Sequence, residues 1–204
     1  MHTVRLYSDS LEGRFIAQAT EALREGDLII IPTGTFYALS CDALNQRAIE
    51  RLCRIKGINP DKNLLSVICS DISQAAEYAR IDNKAFRILK EYLPGPFTFI
   101  LPASTKLPKV FKGRKTVGIR IPDSAVARAL AKSLGNPLLA TSVNTNDEDD
   151  EYTFEPSIAA EKYENDAFMI IDAGEGSIEP STIVDLTDPS EPEIIRQGSG
   201  IFNG

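Results

Sequence analysis

The sequence predicts an α/β fold in which helices flank a mixed sheet. Short runs of apolar and β-branched residues alternate along the chain with longer segments whose apolar residues recur every three or four positions. This alternation is irregular and the last third is rich in strands, which favours a mixed sheet over a regular doubly wound one. At 204 residues, the chain is expected to form a single domain over 1–204 with a full core.

The expected helices are amphipathic segments that end at a glycine or a proline. In the first, Phe15, Ile16, Ala19 and Leu23 share one face, and Gly26 ends the helix. The predicted helices are Leu11–Glu25, Gln46–Lys56, a segment capped by Asp71 or Ser73 that runs to Tyr78, Asn83–Tyr92, Ala125–Leu134, and a helix from Pro156 to about Asn165.

The expected strands are short apolar runs bounded by turn residues. They are Leu28–Ile31, Leu64–Cys69, Phe97–Leu101, Val117–Ile121, Pro137–Thr141, Phe168–Asp172, Thr182–Leu186 and Glu193–Arg196. The N-terminus around His2 and the tail Gly198–Gly204 are expected to be loosely held.

Composition excludes several classes of protein. A net charge of −7 and a pI near 4.9 oppose a surface that tracks nucleic-acid phosphates as a whole. The only histidine is His2, which argues against structural zinc and against histidine-based triads. An odd number of cysteines, with no CxxC pair and no signal peptide, predicts a reduced cytoplasmic protein, and no apolar run is long enough for a membrane span.

Polar side chains collect at the ends of the predicted strands. Thr33 and Thr35 follow the first strand within the turn PTGT, and further members are Arg120, Thr141, Ser142, Asn144, Ser181, Thr182 and Arg196. Singly, each has a structural interpretation: an arginine paired with a carboxylate, turn-forming residues, or, for Lys56, a cation at a helix C-terminus. Together, hydroxyls and cations at strand ends indicate a pocket for an anion-rich small molecule, although neither a P-loop nor a GxGxxG motif is present.

Seven short segments, spread in order over almost the whole chain, resemble the YrdC-like superfamily, which includes the threonylcarbamoyl-AMP synthases of tRNA modification. They read PTGTFYALSCDA, KGINPDKNLLSVIC, PGPFTFIL, TVGIRIP, ATSVN, STIVD and IIRQG. The resemblance implies a twisted, largely parallel, mixed sheet with a deep concave cleft. Two stretches, IKGINPDKNLLSVICSD and DNKAFRILKEYLPGPFTFIL, look more like the YciO branch of the superfamily than like the standard synthases.

The resemblance also implies a nucleotidyltransferase reaction. L-Threonine and bicarbonate form a carbamate, which attacks the α-phosphate of ATP, and pyrophosphate leaves. Because the nucleophile is already an anion, this step needs positioning and charge stabilisation, with Mg²⁺ entering alongside ATP, and no residue is expected to act as a catalytic base or as a metal ligand.

The matching positions imply two sets of binding residues. The threonine or carbamate is expected to meet Thr33, Thr35, Tyr37, Arg120, Ser142 and Ser181 or Thr182. The nucleotide is expected to meet Lys56, Lys62, Thr116, Asn144 and Arg196.

Four departures from the family pattern affect this expectation. Ile58 stands where the family has an arginine, which removes a bidentate phosphate donor. Gly34 replaces a common acidic residue and Ala38 a glycine, and an acidic run over 147–151 follows Asn144 where the family often has a Ser-Gly loop.

Three functions therefore remain open. The first is the synthase reaction or a close relative of it. The second is an RNA-binding module for tRNA or double-stranded RNA, for which the basic loop Lys106–Lys115 offers charge. The third is a paralogue that binds nucleotide without the synthase step.

Overall fold

A computed structural model describes residues 1–6, 13–59, 66–107, 114–143 and 155–204 of the chain. Ten described strands form one sheet: β1 His2–Arg5, β2 Ile29–Ile31, β3 Ala38–Asp42, β4 Ser66–Ile68, β5 Phe97–Pro102, β6 Thr116–Arg120, β7 Leu138–Ser142, β8 Met169–Asp172, β9 Thr182–Asp185 and β10 Glu193–Arg196. The described helices are α1 Gly13–Glu25, α2 Gln46–Lys56, α3 Ile72–Tyr78, α4 Asn83–Tyr92, α5 Ala125–Leu134 and α6 Pro156–Lys162.

The helix boundaries follow from local capping chemistry. Asn45 caps α2 by accepting a hydrogen bond from the backbone of Ala48, and Gly57 ends α2 in the left-handed conformation at φ 62°. Asp71, rather than Ser73, caps α3. The predicted bounds of α2, α4 and α5 are confirmed, whereas α6 ends at Lys162, before the predicted end near Asn165.

The sheet is mixed, as predicted, in the order β1-β8-β2-β3-β7-β4-β6-β5-β9-β10. It is not largely parallel, because four neighbouring pairs are parallel and five are antiparallel. Two strands, β1 and β3, were not predicted. The strand β3 follows the PTGT turn and pairs antiparallel with β2, which brings the turn back over the sheet.

Both chain ends contradict the expectation that they are loosely held. His2 begins β1, which pairs parallel with β8, and its ring lies 5.2 Å from that of Phe168. In the tail, Phe202 is buried, with its ring 4.8 Å from the ring of Tyr92. Burial of an aromatic ring contributes about 1.5–3 kcal/mol, enough to hold the tail on the fold.

The two faces of the sheet differ in how far helices cover them. On one face, apolar residues of alternate strand positions, including Leu39, Phe99 and Val117, form the larger core with residues of α2, α3 and α4. On the other face, α1 and α5 cover a second core around Ile31 and Leu138. The rest of this second face carries small and polar side chains, and it forms the floor of a cleft. No helix among the described residues is long and apolar enough to cross a membrane.

Candidate functional site

The floor of the cleft is built from alternate residues of adjacent strands. Thr98, Ser66 and Arg120 line a cavity of ≈ 230 Å³ together with residues of β3, β7 and β9. Gly118 lies between them, and a Cβ atom there would come within 3.0 Å of Ser66 Cβ and 3.3 Å of Thr98 Cγ2. The absent side chain at Gly118 therefore lets β6 approach its neighbours and keeps the floor flat.

Arg120 extends from β6 to the PTGT turn. Its Nη2 atom donates to Thr35 Oγ1 at 3.0 Å and to Thr33 Oγ1 at 3.3 Å. The two threonine hydroxyls lie 3.1 Å apart, and both residues are almost fully buried. The structure thus brings together three predicted site residues. The partners of Arg120 are these two hydroxyls, and not a carboxylate as in the structural interpretation of this arginine.

The guanidinium of Arg120 is poorly compensated. Desolvation, together with the nearby charge of Arg196, lowers the pKa of Arg120 to about 10, which still leaves it charged at neutral pH. Its Nε atom is buried and has no hydrogen-bond partner among the described residues. None of the described residues that line the cavity is acidic. A buried cation with an unused donor is the condition under which an anionic ligand gains most.

Arg196 reaches the same cavity from β10. Its Nη2 atom donates to the carbonyl oxygen of Ser181 at 2.8 Å, and its Nε atom donates to the same oxygen at 3.2 Å. Ser181 Oγ lies 2.9 Å from Thr98 Oγ1 and lines the cavity. Partial burial lowers the pKa of Arg196 as well. Two guanidinium groups therefore face one small cleft.

Thr182 points away from this cleft. Its hydroxyl donates to the carbonyl oxygen of Gly200 at 2.6 Å and accepts from the backbone of Gly198 at 3.0 Å. It is fully buried on the face that carries the larger core. Of the two expected alternatives, Ser181 lines the cleft, while Thr182 fastens the C-terminal tail.

A second, larger cavity of ≈ 670 Å³ lies on the other side of the PTGT turn and shares Thr35 with the first. Tyr37 helps to line it, but its hydroxyl is already bonded, donating to Gly174 O at 2.7 Å and accepting from Ala173 N at 3.0 Å. Burial raises the pKa of Tyr37 to about 12. Tyr37 thus shapes the site by holding the loop at 173–174.

The backbone at Gly34 leaves no room for a side chain, which explains why glycine stands here in place of the family's acidic residue. Its φ is +73°, and a Cβ atom there would lie 2.9 Å from the backbone oxygen of Asp123. Any side chain at this position would strain the backbone and displace the start of α5.

The predicted nucleotide residues are placed less closely together. Arg196 lines the cavity, whereas Lys56 lies at the end of α2 beside Val143 and Tyr163, and Thr116 lies four residues before Arg120 on β6. Neither Lys56 nor Thr116 is among the residues that line the smaller cavity. Lys62, Asn144 and the acidic run at 147–151 lie outside the described residues, as does most of the basic loop.

Sequence reasoning did not single out Ser66 or Thr98. For Thr98 a signal was available, since Phe97, Phe99 and Leu101 alternate toward the core and so place Thr98 on the opposite face. As for Mg²⁺, the described residues contain no group of three or more histidine, cysteine or acidic side chains able to hold a metal ion.

Comparison with known sequences places this geometry in context. A sequence model of the Sua5–YciO–YrdC family, described as telomere recombination, matches residues 21–198. The YciO protein of Escherichia coli is 36% identical over 198 residues, covering 96% of this chain and 94% of the relative. A threonylcarbamoyl-AMP synthase of Pyrococcus abyssi is 33% identical over 181 residues, covering 86% of this chain and 52% of the relative. The chain thus spans about half of that synthase.

Comparison with solved structures finds the same two kinds of relative. The crystal structure of E. coli YciO matches with a TM-score of 0.88 at 35% identity, covering 98% of both chains. P. abyssi Sua5 complexed with L-threonine matches with a TM-score of 0.82 at 31% identity, covering 97% of this chain and 57% of the other.

Proposed function

The chain belongs to the Sua5–YciO–YrdC family, and on this premise we propose that it is a threonylcarbamoyl-AMP synthase. The observation that carries the proposal is the guanidinium group of Arg120, which lines a cleft together with Arg196 and whose buried Nε–H has no partner among the described residues. Hydroxyls of Thr35, Ser142 and Ser181 surround these charges. Such a cleft suits a ligand with a carboxylate and phosphate groups.

The proposed reaction has two steps. The amine of L-threonine combines with bicarbonate to give a carbamate and water. A carbamate oxygen then attacks the α-phosphorus of MgATP, the bond from that phosphorus to the bridging oxygen breaks, and pyrophosphate leaves. Since the attacking group is an anion, the cleft contributes by holding two anions in line and by stabilising their charge.

The residues divide between the two substrates. Arg120, Thr35, Ser142 and Ser181 hold the amino acid or carbamate, with Thr33 and Tyr37 supporting them. Arg196 binds the nucleotide from the same cavity, and Lys56 and Thr116 are further proposed nucleotide contacts. Lys62 and Asn144 remain predicted nucleotide contacts.

The test is release of pyrophosphate from MgATP. We expect release only when L-threonine and bicarbonate are both present, and we expect it to fall at least about tenfold in Arg120→Ala, given the loss of a charged hydrogen bond. Arg47→Ala, at an exposed position on α2, is the matched control and should retain the rate. Release that does not depend on threonine would contradict the proposal.

A second candidate is a paralogue that binds nucleotide and does not complete the synthase step. It is favoured by Ile58, whose side chain packs against the larger core where the family has an arginine. ATP binding by calorimetry without pyrophosphate release would identify this function. RNA binding is disfavoured by the net charge of −7; tRNA binding that weakens steeply with salt and occurs without turnover would support it instead.

A further inference from the structure

Thr33 is buried beside the cleft and does not line it. Its hydroxyl nevertheless bonds to Phe36, Thr35 and Arg120, and the last two line the cleft. Thr33 is 1% exposed and lines neither cavity, whereas Thr35 lines both. The Thr33 side chain therefore has little surface with which to touch a ligand. Its influence on the cleft must therefore pass through its neighbours, Thr35 and Arg120.

The direction of each hydrogen bond in this network follows from counting protons. A threonine hydroxyl has one proton and two acceptor positions. Thr33 Oγ1 donates its proton to the carbonyl oxygen of Phe36 at 2.7 Å. In the 3.1 Å contact between the two threonines, Thr35 must therefore be the donor. Arg120 Nη2 donates to both hydroxyl oxygens.

This arrangement uses every hydrogen-bonding position of Thr33. Its proton goes to Phe36, and its two acceptor positions are filled by Thr35 and Arg120. Thr35 is left with one open acceptor position, because its proton points to Thr33 and no described group besides Arg120 donates to it. Arg120 is left with the buried Nε–H.

The cleft therefore offers an acceptor beside a charged donor. A ligand that fits this pair carries an N–H group next to a carboxylate, which is the polar end of an α-amino acid. The Thr35 oxygen accepts from the amine, and the positive charge of Arg120, which lines the same cleft, attracts the carboxylate. A ligand with no N–H or O–H donor at the position of the amine would leave the Thr35 oxygen without a partner and lose this bond.

We propose that Thr33 is a positioning residue that makes the site selective for the α-amine of its substrate. It does so by holding the Thr35 proton away from the cleft and by fixing the guanidinium of Arg120. The inference rests on the proposed function insofar as the substrate is an amino acid. Without the Thr33 hydroxyl, Thr35 turns its proton toward the ligand and the acceptor that the amine requires is lost.

Calorimetry with two ligands of the same skeleton tests the selectivity. L-Threonine carries the amine and 3-hydroxybutanoate does not. We expect the native protein to prefer L-threonine by about tenfold or more, the range for a hydrogen bond to a charged group. Thr33→Val has nearly the same shape and should lower this preference to about twofold, whereas Thr33→Ser retains the hydroxyl and should retain the preference.

Thermal unfolding of the same variants checks that they are folded. An unchanged preference in a folded Thr33→Val protein would overturn the proposal. Loss of preference in Thr33→Ser as well as in Thr33→Val would also overturn it, since the hydroxyl would then not be the cause.

A ligand-free measurement separates this inference from the proposed function. The Nε–H proton of Arg120 can be followed by nuclear magnetic resonance in ¹⁵N-labelled protein. It should exchange slowly with water in the native protein and in Thr33→Ser, and at least about tenfold faster in Thr33→Val, in which one Nη2 bond is missing. If the native protein binds no L-threonine, the proposed function fails, and equal exchange in all three proteins would overturn the positioning role of Thr33.

Discussion

Lys56 Nζ donates to the hydroxyl oxygen of Tyr163 at 3.0 Å and approaches the carbonyl oxygen of Val143 at 3.4 Å. The hydroxyl of Tyr163 in turn donates to that same carbonyl oxygen at 3.0 Å. Lys56 lies in the last turn of α2, Val143 follows β7 and Tyr163 follows α6. The contact joins three elements at the end of the sheet where Ser142 enters the cleft, and so it fixes the ammonium group next to the proposed nucleotide site.

Replacement of Lys56 by alanine should weaken ATP binding by about tenfold or more, because an ammonium group that meets a phosphate contributes about 1.5–3 kcal/mol. Lys162 is the matched control, since its ammonium also lies near the ring of Tyr163, at 6.0 Å from the centroid, but belongs to the exposed face of α6. Calorimetry with MgATP should show less than a twofold change for Lys162→Ala. Similar losses in the two variants would argue against a specific role for Lys56.

Replacement of Arg120 by methionine should raise the stability of the ligand-free protein. The pKa of Arg120 is lowered to about 10 by burial and by Arg196, so the folded state holds a charge at an energetic cost. We expect a gain of about 1 kcal/mol in the free energy of unfolding measured in urea, together with loss of L-threonine binding. The exposed control Arg47→Met should change neither quantity, and a large loss of stability in Arg120→Met would refute the argument.

Ser181 and Thr182 are neighbours with opposite roles, so their variants should separate binding from stability. Thr182→Val removes buried bonds to Gly200 and Gly198 and should lower the free energy of unfolding by about 1–3 kcal/mol. Ser181→Ala removes the buried contact with Thr98 and should lower the free energy of unfolding by about 1 kcal/mol, less than Thr182→Val, but it should weaken ligand binding severalfold. Urea unfolding and calorimetry on both variants provide the comparison, and the reverse result would mean that Thr182 serves the cleft.

The raised pKa of Tyr37 predicts that the free energy of unfolding falls at alkaline pH. Burial raises its pKa to about 12 from a value near 10 in the unfolded chain. Its contribution is therefore complete below about pH 10 and is lost as the pH rises through 12. Between these limits the native protein should lose about 2 kcal/mol more than Tyr37→Phe, as measured by urea unfolding. Parallel losses in the two proteins would show that another group governs this range.

Ile58 marks the position where the family has an arginine. Ile58→Arg should tighten ATP binding severalfold and speed pyrophosphate release, because a guanidinium adds a forked donor near the end of α2. A cost of about 1 kcal/mol in stability is expected, since Ile58 is partly buried against the core. Ile58→Gln, which adds polarity without charge, is the control. Equal effects of the two substitutions would show that the charge of the arginine is not the cause.

Some features of this protein could be predicted from local sequence because they depend on neighbours along the chain. The helix α2 is capped by Asn45 at its start and by Gly57 at its end, through bonds within a few residues. The same holds for α5, which Ser124 caps and Gly135 ends. The strands β1 and β3 were missed, since neither His2–Arg5 nor Ala38–Asp42 shows an apolar pattern that is distinct without its partners in the sheet.

For the site, the sequence by itself determined which polar groups are available: hydroxyls at Thr33, Thr35 and Ser181, and guanidinium groups at Arg120 and Arg196. Only the tertiary structure decided how they are used. A strand pattern of period two states that Ser181 and Thr182 face opposite sides, but which side is open depends on where α1 and α5 lie over the sheet. The direction of the Thr35 proton likewise depends on the Phe36 carbonyl and on Arg120, which lies 85 positions away in the chain. Contacts across such separations arise from packing of the whole fold, and no local sequence pattern encodes them.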